Sequence, residues 1–102
     1  MNIVETIGTA AVLEQLAEES AELAQAALKL ARKMRGVNPT PKTEEECWEA
    51  LIEEMADVQV CEEQLQLGTG ARKIIKDTTQ EKTQRWEARI KQGELKNHAD
   101  DD

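Results

Sequence analysis

Residues 17–23 read Ala17-Glu18-Glu19-Ser20-Ala21-Glu22-Leu23, and further along the chain residues 51–58 read Leu51-Ile52-Glu53-Glu54-Met55-Ala56-Asp57-Val58. Both stretches set apolar residues at helical spacing and place acids one turn apart among them. On a wheel at about 100° per residue, Val12, Leu13, Leu16, Leu23, Ala27, Leu30 and Met34 form one apolar stripe. Glu19 falls inside that stripe, Glu22 at its edge, and Glu18 points outward. In the second segment Cys47, Leu51, Met55, Val58, Cys61 and Leu65 form the stripe. Glu54 lies inside it, Asp57 at its edge, and Glu53 outward. Glu62 also lands in the second stripe, with no role attached to it.

The surrounding sequence punctuates these segments as helices. No alternating strand pattern persists, so the expected class is all-α. A first short helix is expected over residues 3–7, ending at Gly8. Thr9 is expected to cap a long helix that runs to about Arg35 and stops at Gly36. The stretch "GVNPTPK" is a loop, because Pro39 and Pro41 push the residues before them out of the helical region. Thr43 and Glu46 form a T-x-x-E capping box that opens a second helix to about Leu67. "GTG" at residues 68–70 breaks it, and a last helix follows from about Ala71 to Lys91. Residues 1–93 are read as one helical domain, and 94–102, which include His98, as an acidic disordered tail.

Composition narrows the function. The 102 residues carry 21 acids against 13 bases, a formal net charge of −8. Such a surface argues against nucleic acid or an anionic membrane as partner, though not against a phosphate ligand held through a cation. No apolar run is long enough to span a bilayer, and the N-terminus has no basic segment followed by an apolar one. A cytoplasmic protein is expected. Cys47 and Cys61, if on one helix, stand roughly 21 Å apart at about 1.5 Å per residue, too far to bridge within it. Both are read as reduced, half-buried thiols. The chain has two Trp and no Phe or Tyr. A core of Ala, Leu, Ile, Val and Met over three helices is thin for a lone subunit. A four-helix-bundle-like core completed in a homodimer or homotetramer is expected.

Acid runs on helices are ordinarily solvated faces, and a chain this acidic will place some in a stripe by chance. Burying one uncompensated carboxylate nevertheless costs several kcal/mol, and gathering like charges costs more. Residues at i and i+3 project to the same side of a helix. Two antiparallel helices can therefore aim four carboxylates at one point, where an all-oxygen site suits Mg²⁺ or Mn²⁺.

These residues resemble the MazG-like all-α nucleoside triphosphate pyrophosphohydrolases, in particular their small phage and prophage members. E-E-x-x-E is matched by Glu18, Glu19 and Glu22, and E-x-x-D by Glu54 and Asp57. "KTQRW", with Lys82 and Arg85, is similar to the basic end of the family's last helix. The likeness covers about residues 3 to 90. Two departures stand out: the gap between the motifs is lengthened by "GVNPTPKTEEE", and Thr78, Thr79 and Gln80 replace an Asn often found before the last-helix Lys.

The resemblance implies hydrolysis of (deoxy)nucleoside triphosphates to a monophosphate and pyrophosphate. It implies Glu19, Glu22, Glu54 and Asp57 as Mg²⁺ ligands. Glu18 or Glu53 would be the catalytic group that orients water or supports a ligand, and Lys82 and Arg85 would hold phosphates. Trp48, or else Trp86, is a candidate for stacking on a base. The competing reading is a non-catalytic helical oligomer or adaptor. A di-iron carboxylate bundle is set aside, since it needs Glu-x-x-His and the helices carry no His.

Overall fold

A computed structural model describes residues 1–37 and 41–93. The expected acidic tail and His98 lie outside the described residues, as do Asn38, Pro39 and Thr40 of the loop. Among the described residues every regular element is helical: α1 (Ile3–Ile7), α2 (Thr9–Arg35), α3 (Glu44–Gln64) and α4 (Thr69–Lys91). None of these helices is long and apolar enough to cross a membrane. The chain divides into two compact units, Met1–Gln66 and the part from Leu67 onward.

Local chemistry sets most helix ends. The Asn2 side chain accepts the Glu5 N–H and caps α1. Gly36 closes α2 in the left-handed region (φ 74°), where its amide reaches the carbonyls of Arg32 and Lys33. Thr43 caps α3: its Oγ1 accepts the Glu46 amide at 3.1 Å, and Glu46 Oε1 accepts the Thr43 amide at 2.9 Å. These bonds hold the Glu46 carboxyl below the usual carboxylate range, with Lys42 adding a smaller attraction. Thr43→Ala is expected to destabilise the protein by about 1 kcal/mol. A urea midpoint unchanged from wild type would show that the box contributes nothing.

Three expected boundaries move. Gly8, not Thr9, is the N-cap of α2, and it brings no side-chain hydrogen bond. α3 ends at Gln64, short of Leu67, because Gln66 already turns to positive φ (54°) ahead of the glycine. α4 begins at Thr69 and takes in Gly70.

In the first unit α2 and α3 pack side by side as a hairpin, with α1 against α2. The α2 seam is Val12, Leu16, Glu19, Leu23, Ala26 and Leu30, all buried or half-buried. Its spacing alternates four and three, the 3.5-residue period of two helices wound together. The α3 seam includes Cys47, Leu51, Glu54, Val58, Cys61 and Leu65. Leu13, Met34 and Met55, expected in the stripes, are 48%, 58% and 54% exposed, and Ala27 and Glu62 also lie outside the seam. A hairpin buries one narrow seam per helix, and a broader stripe overshoots it on both sides. Both cysteines are free, and both are buried rather than half-buried.

In the second unit, α4 has no buried residue. Along it run the i, i+4 ion pairs Lys73–Asp77 and Arg85–Glu81, each at 2.7 Å. Both pairs are exposed and add little stability. Ile74, Ile75, Trp86 and Ile90 are exposed on the same helix.

Candidate metal centre

The seam positions of Glu19 and Glu54 decide the site. Each acid occupies a place that a heptad gives to an apolar residue, so the hairpin draws both inward. Glu22, one turn after Glu19, joins them from the edge. One carboxylate oxygen from each of Glu19, Glu22 and Glu54 lies within 4.8 Å of the other two. Glu19 and Glu54 are half-buried and Glu22 is exposed.

The hydrogen bonding of this cluster is incomplete. Glu19 Oε1 accepts from Gln15 Nε2 at 2.8 Å, while Glu19 Oε2 is enclosed and has no partner. Glu54 Oε2 is likewise enclosed and unpartnered. Two enclosed acceptors without donors, on residues grouped with a third carboxylate, are unfavourable unless a proton or a cation reaches them. Glu54 registers this: burial, above all, pushes its carboxyl up from the usual range. The charges of Glu22 and Asp57, a hydrogen bond shared with Glu22, and the charge of Glu19 add to the shift. The Cys61 thiol is also pushed up, by burial first and then by Glu19 and Asp57. It is an inert, protonated neighbour of the cluster rather than a nucleophile.

The other expected site residues fall as follows. Asp57 is half-buried and near enough for its charge to act on both Glu54 and Cys61, though the close grouping is formed by the three glutamates. Glu18 and Glu53 are exposed, each one residue before a seam acid and turned away from the seam. Trp48 follows the buried Cys47 and is 44% exposed. Lys82 and Arg85 are in the second unit. There they line, with Trp86 and Arg89, a depression of about 320 Å³ on α4, and Arg85 is paired with Glu81.

Two features were not anticipated. Gln15 holds Glu19 in place from one turn earlier, a contact that i, i+4 spacing could have suggested. Beside the cluster opens a groove of about 290 Å³ lined by Glu22, Gln25, Ala26, Lys29, Lys42, Cys47, Ala50 and Glu54. Its lysines could not be found without knowing which turn of α3 faces which turn of α2.

The donor set is all carboxylate oxygen, which fits a hard divalent cation of the Mg²⁺ or Mn²⁺ kind. Such an ion would satisfy a group of three carboxylates, two of which carry an enclosed oxygen without a donor. Comparison with protein-family models, curated proteins and solved structures found no match to this chain.

Proposed function

We propose that this chain is a Mg²⁺-dependent nucleoside triphosphate pyrophosphohydrolase of the MazG-like type, with Mn²⁺ as an alternative ion. The observation that carries the reading is the grouping of Glu19, Glu22 and Glu54, one carboxylate oxygen of each within 4.8 Å of the other two, together with the enclosed, unpartnered Oε2 atoms of Glu19 and Glu54. Glu19, Glu22, Glu54 and Asp57 are the ligand set. The cation, when bound, would screen phosphate charge and supply an activated water. Glu19 is pre-oriented for this by Gln15. Glu18 and Glu53, at the outward edge of each ligand turn, are assigned to holding the proton of the attacking water. Trp48 is assigned to the base.

The exposed apolar residues Ile52, Met55 and Val60 of α3, with those of α4, support a MazG-like bundle completed by a second or further copies of the chain. The net charge of −8 supports a small-molecule substrate over nucleic acid. Two free cysteines fit a reducing, cytoplasmic setting.

The test is hydrolysis of a panel of ribo- and deoxyribonucleoside triphosphates with Mg²⁺ or Mn²⁺, with monophosphate and pyrophosphate identified as products. Asp57→Asn is expected to lower turnover at least about 100-fold, the upper range for residues that merely support a metal ligand. A rate within twofold of wild type would remove Asp57 from the ligand set. No hydrolysis of any nucleotide by the wild type would leave the helical oligomer or adaptor as the better reading.

A further inference from the structure

The groove beside the three glutamates has a charge polarity that runs along the hairpin. Glu22, Gln25, Ala26 and Lys29 follow one another up one face of α2. Opposite them Glu54, Ala50 and Cys47 run down α3, and Lys42 stands just ahead of the Thr43 cap. The antiparallel order puts both carboxylates at one end and both lysines at the other. Lys29 is seven residues beyond Glu22, about 10 Å along the helix axis. Ala26 and Ala50 contribute short side chains to the lining, and Cys47 is buried below it, so the space between the ends stays open.

A plain acidic cleft would repel a polyphosphate, and the protein as a whole is strongly acidic. Here the sign reverses within one groove. An ammonium is a mobile point charge with three donors, suited to phosphate oxygens that shift between states. The molecule that fits has a cation-binding anionic end and a further anionic group about two helical turns away. We infer that this groove is the polyphosphate subsite of the first unit, with Lys29 its principal phosphate contact and Lys42 at its rim. The inference rests on the cation-site reading above. It differs from the sequence expectation, which assigned phosphate to Lys82 and Arg85, both in the second unit.

The test measures binding, not turnover, on the full chain. Mn²⁺ alone is titrated by water-proton relaxation. Inorganic triphosphate and a non-hydrolysable nucleoside triphosphate, each with Mg²⁺, are titrated by calorimetry. Lys29→Gln is expected to weaken both polyphosphates about tenfold, equivalent to about 1.4 kcal/mol. Its Mn²⁺ affinity should stay within twofold of wild type, and Lys29→Arg should recover most of the loss. A loss confined to the nucleotide would place Lys29 against the nucleoside and overturn the assignment. So would wild-type affinity for triphosphate in Lys29→Gln, or a loss found only in Lys82→Gln. If the wild type binds no Mn²⁺, the cation-site reading fails and takes the groove with it. If Mn²⁺ binds and Lys29→Gln changes nothing, the groove alone fails.

Discussion

Glu54→Gln is expected to raise the thermal midpoint of the metal-free protein and, in the same substitution, to abolish both the proposed hydrolysis and the stabilisation expected from Mg²⁺ in the wild type. The opposite signs follow from one arrangement. Glu54 sits in the seam with an enclosed, unpartnered oxygen, and Glu22, Asp57 and Glu19 all raise its pKa by their charge. An amide of the same shape removes the repulsion and brings a donor to neighbouring carboxylates. It also removes a charged ligand from the proposed cation site. With the proposed site in place, Mg²⁺ at a hundredfold excess over its Kd would add about 2.7 kcal/mol by mass action, which in a chain of this size would move the midpoint by roughly 10 °C or more. Glu19→Gln should behave in the same direction, since its retained Oε1 can still accept from Gln15. Differential scanning calorimetry with and without Mg²⁺ checks both halves. A metal-free midpoint that falls in Glu54→Gln would show that the carboxylate stabilises the hairpin by itself. A Mg²⁺ shift equal to wild type would show that the ion binds elsewhere.

That sign pattern also explains which features were readable in advance. Helix ends governed by one residue were legible: Gly36 in its left-handed conformation and the Thr43–Glu46 box are set by chemistry within a single turn. The end of α3 was not, because it depends on Gln66 taking a positive φ that its residue type does not advertise. The acids at seam positions were visible as breaks in an apolar stripe, so Glu19 and Glu54 could be named before any geometry. The seam itself was drawn too wide. Leu13 and Met34 are apolar and lie near it on the wheel, but two helices in contact cover only a 3.5-period line. Lys29 and Lys42 lay beyond reach for a different reason. Their significance comes from the register of α2 against α3, which no single segment encodes.

In the metal-free protein, stability is expected to fall as pH rises through the Glu54 titration, by more in wild type than in Glu54→Gln. The folded chain raises the Glu54 pKa above its ordinary value of 4.5. Between that value and the raised one, the native state binds more protons than the unfolded state. The slope of stability against pH is therefore negative in that window. The contribution is fully present below the unfolded pKa and is lost as pH rises through the folded one. Glu46 works in the opposite direction: its carboxyl is lowered by the cap, so its contribution is present above the unfolded pKa and is lost as pH falls through the folded value. Glu46 is common to both proteins, and the difference between wild type and variant isolates Glu54. Saturating Mg²⁺ should reverse the wild-type trend, because protons and the cation compete for the same oxygens and the ion gains as they ionise. Urea titrations at intervals from about pH 4.5 to about pH 7.5, on both proteins with and without Mg²⁺, read all of this. Parallel wild-type and variant curves without metal would place Glu54 outside any strained cluster. A Mg²⁺ effect that does not grow with pH would mean that the ion does not meet ionised carboxylates in the seam.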